Sequence, residues 1–295
     1  MPRPKSAHDS QLTSKQPLGA LLPLTLLAVS TLCAAAENQA APEQAQSAQA
    51  GSDSAAGQSA FSNQWNFVVG AGAINLPRYP GSRDDYTRGL PVLSANYGRY
   101  FFGGGPGGGA PAGLGAYLVR TEHWAVGVNV GGDFRKPRRE SDAPILHGWG
   151  DIPGTVRGGM FVSYSVEWLS IRGSISGAGH NEGETASLSV TARFHPIPRL
   201  TVSFGPEATW ADERYAMTYF GIDTAQSEIA GIAPYHARAG LNTIGAGADA
   251  RYALTEHWSV AAHATYGRLQ GDAATSPVTT DKTQKIIGAF AFYRF

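Results

Sequence analysis

The chain has almost no cysteine, since Cys33 is the only one in 295 residues. Cys33 lies inside an N-terminal segment that has the features of a cleaved export signal. A protein without that segment would hold no cysteine, so disulfides are not expected to stabilise it. A lipid attachment site needs a small residue just before the cysteine, and Leu32 stands there instead. The sequence therefore disfavours a lipid anchor.

Long apolar runs and charged residues are also scarce. Beyond the N-terminal segment no run of eighteen apolar residues occurs, which argues against a helix that crosses a membrane. Charged residues make up 16% of the chain, and 23 basic residues balance 23 acidic ones. Because the chain has no surplus of positive charge, we expect no nucleic-acid partner.

What the chain does contain is alternation of apolar and polar residues with a period of two, which is typical of a β-strand. In the segment 156–166 the residues of one parity are mostly apolar and those of the other mostly polar. The phase changes across Glu167-Trp168, as a tight hairpin turn requires. Each arm has about ten residues, the length of a tilted strand that crosses a bilayer.

The same alternation recurs from Gln64 to the C-terminus and predicts twelve strands. Tight connections follow the even-numbered strands, and most connections after the odd-numbered strands are long. The second and third strands, Arg88 to Asn96 and Gly98 to Gly103, have a blurred alternation. The longest loop, 211–239, is expected to hold a helix at 224–229. An even strand count with long loops at one end predicts an all-β, antiparallel, up-and-down transmembrane β-barrel, with both termini periplasmic.

The N-terminal region divides into two predicted segments before the barrel. Basic residues precede an apolar run that starts at Leu18, and Ala34-Ala35-Ala36 follows, so residues 1–36 are predicted to be a cleaved signal peptide. Residues 37–62 are rich in Ala, Gln, Ser and Gly and cannot bury a core. We predict a flexible periplasmic tether there, with a docking tail for a partner as the alternative. Residues 63–295 are the predicted barrel.

Aromatic residues near the predicted strand ends form a second pattern. Amphipathic rings settle at the level of lipid headgroups, so two interfacial girdles are predicted, with ordinary core packing as the alternative. The chain ends on an aromatic residue with another two positions earlier, which resembles the signal read by the outer-membrane assembly machinery. That machinery and outer-membrane lipid are therefore expected partners. The predicted interface residues are Trp65, Trp124, Trp168, Trp210, Tyr252, Trp258 and Tyr266, and the predicted assembly signal is Tyr293 with Phe295.

Charged residues on the polar parity are predicted to face the lumen of the barrel. Opposite charges on neighbouring strands would pair across a narrow interior, and such a network fixes strand register more surely than it adds stability. A salt-bridged, filled lumen is favoured over a conducting pore, which stays the alternative. The predicted lumen residues are Arg157, Glu167, Arg172, Arg193, Glu207, Asp249, Arg251 and His263.

Two histidine patterns raise the question of catalysis or metal binding. His263 and Thr265 lie on one strand face, but a lipid deacylase would need a serine nucleophile and a carboxylate to orient the histidine. The repeats Thr121-Glu-His-Trp124 and Thr255-Glu-His-Trp258 are interpreted as a reused periplasmic turn rather than a metal site. We therefore predict no enzyme, no catalytic residue, no cofactor and no metal.

Several segments resemble MipA/OmpV family proteins, over roughly Gln64 to Phe295. They are the stretch 78–86 followed by Gly-Leu-Pro-Val, the stretch 217–223 followed by Ala-Gln-Ser, and the stretch 268–278 with the terminal Tyr-Arg-Phe. The glycine-rich loop at 103–109 and the long N-terminal segment depart from the family pattern. The resemblance implies a protein exported to the outer membrane of a Gram-negative cell.

The resemblance also implies a non-catalytic role. The member that gives the family its name is a scaffold that links a murein polymerase to a lytic transglycosylase, and other members are described as surface antigens and adhesins. A scaffold for murein synthesis is therefore the expected function, with a small-solute porin or an adhesin as alternatives. A lipid-modifying enzyme is the remaining, less favoured class.

Overall fold

The computed structural model describes residues 64–103, 112–132, 138–179 and 182–295. Twelve antiparallel strands form a closed barrel, in which each strand pairs with its neighbours in sequence and β1 pairs with β12. This confirms the predicted all-β barrel. The predicted signal peptide and tether lie outside the described residues. The strands are β1 (Asn66–Pro77), β2 (Asp85–Tyr97), β3 (Tyr100–Gly103), β4 (Ala112–Arg120), β5 (Trp124–Gly132), β6 (Val156–Val166), β7 (Leu169–Ala178), β8 (Glu184–Ile197), β9 (Leu200–Ala211), β10 (Gly240–Ala253), β11 (Trp258–Leu269) and β12 (Thr283–Arg294).

The connections sort by length between the two ends of the barrel. One end, here called the turn end, carries the start of β1, the end of β12 and the tight turns at 98–99, 121–123, 167–168, 198–199 and 254–257. The opposite end, here called the loop end, carries the other six connections, the longest being 133–155 and 212–239. Outer-membrane barrels place short turns in the periplasm and longer loops outside the cell. By this rule the turn end is expected to be the periplasmic end, as the sequence predicts for both termini.

Strand parity separates an apolar outer face from the lumen. Outward-facing side chains are exposed although they are apolar, and a continuous belt of this kind is uncommon on a soluble protein. Lipid covers such a belt in an outer-membrane barrel. No helix of the described residues has the length and apolar character to span a membrane. Members of the belt include Leu93, Leu114, Met160, Val162, Ile171, Ile175, Leu188, Phe204, Ile244, Val260 and Ile287.

Part of the lumen is filled by apolar side chains rather than charges. Strands β1, β2 and β12 contribute a buried cluster, here called the apolar wall, and large rings reach inward from β12. Glycine on β1 makes room for them, because a Cβ at Gly72 would collide with the ring of Phe290. The apolar wall comprises Val68, Ile74, Leu76, Leu90, Val92, Ile286, Phe290 and Phe292.

The second strand extends beyond its predicted limit at the loop end. It begins at Asp85 rather than Arg88. Asp85 and Thr87 put polar residues on the outward face of this extension, so alternation does not reveal it. The backbone ladder nevertheless continues, with Pro77 opposite Asp85.

The described parts of the loop-end connections hold three α-helices, besides two 3-10 turns at Glu140–Asp142 and Pro144–Leu146. The α-helices are α1 (Glu213–Phe220), α2 (Thr224–Ala230) and α3 (Gly271–Thr275). The α2 helix agrees with the helix predicted at 224–229, whereas α1 and α3 were not predicted. The carboxylates of Asp212 and Asp223 cap the N-termini of α1 and α2 by accepting from backbone N–H groups. Gly231 ends α2 at a φ of 67°, a left-handed conformation that glycine adopts without strain.

Candidate functional site: the capped lumen

The loop-end connections pack into one apolar cluster, here called the cap. Its buried members are contributed by the connections after β1, β5, β9 and β11. Trp149, Phe220 and Val278 are each at most 1% exposed, so the cap resembles the core of a small domain. The buried members are Tyr79, Leu146, Trp149, Ala216, Phe220, Ile222, Ala237, Leu269, Ala273 and Val278.

Hydrogen bonds join connections that start far apart around the barrel. The Tyr79 hydroxyl donates to the Val278 carbonyl at 3.4 Å, which links the first and last connections. The Gln226 amide donates to the Trp149 carbonyl at 2.8 Å, which links the connections after β9 and β5. Strands β1, β5 and β9 are spread evenly around the ring. Because their connections meet in one cluster, they extend across the mouth of the barrel, and the cap covers the loop end of the lumen.

A buried arginine and a surface ion pair hold the cap together. Arg138 is 5% exposed, and its guanidinium donates to the Tyr219 carbonyl at 3.2 Å. Burial lowers the pKa of Arg138, and neighbouring tyrosine and aspartate side chains oppose that effect. Asp272 at the start of α3 accepts from the Arg238 backbone N–H at 2.9 Å and from its Nε at 3.0 Å. These hydrogen bonds from Arg238 lower the pKa of Asp272, which therefore stays ionised and holds α3 against the chain before β10.

The structure places seven of the eight predicted lumen residues on strands at inward parity. Arg157 and His263 are buried, and the other five are partly buried. Glu167 is different, because it lies in the turn between β6 and β7 and is exposed. Because β6 ends at Val166, the parity of the strand no longer gives the direction of the Glu167 side chain. The prediction that Glu167 faces the lumen is therefore wrong. The remaining five are Arg172, Arg193, Glu207, Asp249 and Arg251.

Three of these arginines lie over aromatic rings. The Arg172 guanidinium is 4.3 Å from the centre of the Phe161 ring, and that of Arg251 is 5.4 Å from the Phe292 ring. The third, Arg157, reaches Tyr215 of the cap at 5.9 Å. Cation–π contacts gain strength when the cation is desolvated. These strand faces were predicted from their polar members and the rings were not predicted, although Phe161 has the same parity as Arg157.

A close contact between ionisable groups in the lumen joins His263 to Asp249. These residues face each other on β11 and β10, and His263 Nδ1 lies 2.7 Å from Asp249 Oδ1. No carboxylate partner was predicted for His263, yet the tight turn at 254–257 fixes a register that places Asp249 opposite it. His263 Nε2 is buried and makes no hydrogen bond. A histidine oriented by a carboxylate but without a hydroxyl on its other nitrogen lacks the nucleophile that acyl transfer needs.

The predicted interface aromatics are all exposed on the outside of the barrel or in its turns. Five of them, here called the turn-end girdle, lie at the turn end. Trp210 and Tyr266 lie near the loop-end limits of β9 and β11. The side chains are thus distributed as two unequal bands, one at each end of the apolar belt. The turn-end girdle comprises Trp65, Trp124, Trp168, Tyr252 and Trp258.

The two Thr-Glu-His-Trp repeats form the same turn at two places. In each, the threonine hydroxyl accepts a hydrogen bond from the backbone N–H of the tryptophan at 3.0 Å. His123 Nδ1 lies 3.2 Å from the Ser165 carbonyl, and His257 Nδ1 lies 2.9 Å from the Arg294 carbonyl. Each histidine therefore links its turn to the strand that follows the hairpin, which is β6 for His123 and β12 for His257. The described residues contain no group of three or more His, Cys, Asp or Glu that could hold a metal ion.

The C-terminal aromatics complete the turn end. The Tyr293 ring packs edge-on to Trp258 with a centroid separation of 5.2 Å, and to Phe295 with a separation of 4.9 Å. Phe295 is 71% exposed and follows the last residue of β12. An exposed terminal ring is accessible to an assembly factor, and the role of Tyr293 and Phe295 as an assembly signal stays a prediction.

Comparison with known proteins finds one family and many barrels. The model of the family described as MltA-interacting protein MipA matches residues 69–295. No curated protein matches the chain significantly. Similar solved structures include Pseudomonas putida OprB, with 9% identity, a TM-score of 0.41 and coverage of 79% of this chain and 94% of that chain. Another is the Ralstonia pickettii toluene transporter TbuX, with 12% identity, a TM-score of 0.37 and coverage of 79% and 89%. We draw no functional conclusion from similarities this low.

Proposed function

Because the chain belongs to the MltA-interacting protein MipA family over residues 69–295, we propose that this outer-membrane barrel is a non-catalytic anchor for murein-remodelling enzymes. The family description names MltA, a lytic transglycosylase, as the interacting protein. We extend that partnership to this chain, together with a murein polymerase. In this role the barrel holds the enzymes at the inner face of the outer membrane.

The cap over the lumen is the observation that carries this proposal. Connections from three separated parts of the ring meet above the mouth, and Phe220 at their centre is fully buried. A barrel covered in this way is poorly suited to passing solutes. The apolar wall and the arginines that lie over aromatic rings occupy further space below the cap. A filled barrel is suited to the task of a rigid membrane anchor.

The turn end offers the surface for periplasmic partners. Its turns carry exposed basic side chains, among them Arg99 and Arg199 at the tips of two tight turns. The start of β1 lies at the same end, so the predicted tether 37–62 would enter the periplasm beside these turns. We propose that the turns and the tether together form the docking surface.

The alternatives would use other parts of the molecule. A porin would need an open mouth at the loop end, where the cap lies. An adhesin would bind through the cap itself, whereas the proposed partners are periplasmic. An enzyme would need a nucleophile at His263, and no hydrogen bond reaches His263 Nε2.

The test is capture of a purified lytic transglycosylase by the folded full-length chain in detergent or lipid nanodiscs. We expect the wild type to retain the transglycosylase and a bifunctional murein polymerase. Charge reversal at the turn end, R99E with R199E, is expected to weaken capture about tenfold, because two rim contacts with a partner are reversed.

A matched variant at the other end of the barrel is the control. Arg78 and Arg214 are exposed at the loop end, so R78E with R214E makes the same change in net charge. We expect this variant to capture the enzymes as the wild type does. Equal loss in both variants, or no capture by the wild type, would overturn the anchor proposal.

A further inference from the structure

The outer surface of the barrel carries one pair of basic residues among its apolar side chains. Arg268 on β11 and Lys285 on β12 are both exposed. The residues that alternate with them, Leu269 and Ile286, are buried inside the barrel. Arg268 and Lys285 therefore point outward. In the described strands they are the only lysine or arginine side chains with outward parity, and we call them the basic pair.

The two side chains of the basic pair are neighbours on the outer surface. Lys285 lies directly opposite Tyr266, and Arg268 follows Tyr266 by two residues on the same strand face. Such diagonal neighbours on adjacent strands lie about 7–8 Å apart, within reach of one ligand for two long side chains. Tyr266 is 56% exposed beside them and supplies a hydroxyl at the same level.

No carboxylate neutralises the basic pair among the described residues. The described ion pairs involve other side chains. Of the acidic residues nearest in sequence, Asp272 pairs with Arg238, and Asp281 accepts a hydrogen bond from the Thr283 backbone N–H. Asp85 faces outward on β2, but β1 lies between it and β12. A third basic residue, Lys282, is exposed in the adjoining connection. The outer surface of the barrel therefore carries uncompensated positive charge near the loop end of β11 and β12.

The depth of the basic pair indicates its partner. Both residues lie at the loop end of their strands, where the outward-facing apolar belt meets the connections. A lipid-facing arginine or lysine costs about 2–4 kcal/mol at the bilayer midplane but only about 0–1 near an interface. The loop end faces the outer leaflet, whose glycolipid carries phosphate groups on its lipid A headgroup. Arginine and lysine are the side chains that bind phosphate.

We infer that Arg268 and Lys285, with Tyr266, form a binding site for a phosphate of lipid A in the outer leaflet. The guanidinium offers two parallel N–H donors to the phosphate oxygens, and the ammonium adds a second cation. The acyl chains of the glycolipid would lie along the apolar outer face beside and below the pair, where Ile244 lies opposite Arg268 and Ile287 lies two residues beyond Lys285, both exposed. The site fastens the barrel to the outer leaflet and does not depend on the periplasmic partners.

The test uses the refolded full-length chain, free of lipopolysaccharide, in neutral-lipid nanodiscs. Binding of bisphosphorylated lipid A, dephosphorylated lipid A and phosphatidylglycerol is measured by native mass spectrometry. We expect the wild type to prefer bisphosphorylated lipid A. The variant R268Q with K285Q is expected to bind it about fivefold to thirtyfold more weakly, since each basic residue near an anionic headgroup contributes about fivefold.

Two further variants separate the site from general charge and from misfolding. R268K with K285R keeps both charges and is expected to restore most of the affinity. R139Q with R214Q removes two exposed charges at the same end of the barrel, in the connections after β5 and β9, and is expected to leave the affinity unchanged. Equal affinity of the wild type for phosphatidylglycerol and lipid A would overturn the inference. So would unchanged binding in R268Q with K285Q, or equal loss in R139Q with R214Q.

Discussion

Replacing Phe220 by alanine is expected to destabilise the cap by about 3–5 kcal/mol, the usual cost of removing a buried aromatic ring from a close-packed core. Phe220 ends α1 and is fully buried, and its carbonyl accepts a hydrogen bond from the Ser276 hydroxyl at 2.6 Å. The ring thus packs where the connections after β9 and β11 meet. Its loss leaves a cavity that the surrounding loops, held by hydrogen bonds, fill only partly.

Hydrogen exchange of the cap amides measures this effect. Amides of α1 and α3 are expected to lose protection in F220A, while the strand amides keep theirs, because the barrel ladder does not depend on the ring. The control is Ile229→Ala in α2, where the side chain is 65% exposed and little should change. Undiminished protection in F220A would show that the cap is not a packed unit, and the covered lumen would then lose its support.

An arginine at Leu188 is expected to destabilise the whole barrel by about 2–4 kcal/mol, the cost of a charge on the lipid face near the midplane. Leu188 faces outward on β8, is 45% exposed, and lies opposite Gly173 in the middle of β7. Equilibrium unfolding by guanidinium chloride in phospholipid vesicles measures the change. The free energy of unfolding of L188R should be lower than that of the wild type by this amount.

The adjacent residue provides the matched control. Ser187 faces the lumen and lies between Ser174 and Thr209, so an arginine introduced there meets hydroxyl groups rather than lipid. We expect S187R to cost far less than L188R. Equal costs at the two positions would contradict the assignment of inside and outside, and with it the membrane-spanning barrel.

The alternation of residues predicted the barrel well because one face of every strand meets lipid. Tight turns such as Glu167-Trp168 then set the register of each hairpin, and the strand count followed. Alternation predicts a residue's face only while the strand continues. Glu167 was assigned to the lumen by parity, although the chain had already turned.

The cap was harder to predict, since its stability comes from contacts between connections distant in sequence. Tyr79 and Val278 are 199 residues apart, and nothing in the local pattern of either predicts their hydrogen bond. The pair Asp249 and His263 was within reach, because the β10–β11 hairpin places them opposite each other. The register counted from the turn at 254–257 predicts this pair, whereas strand parity alone does not.

Conductance of the full-length protein in a planar bilayer tests most directly whether this barrel is an anchor rather than a conduit. The protein is first shown to be folded and inserted by its shift on gels after boiling. We expect inserted wild-type barrels to give no regular single-channel steps, because the cap covers the loop end. Uniform steps from the wild type, with a stable open state, would contradict the covered lumen and favour a porin.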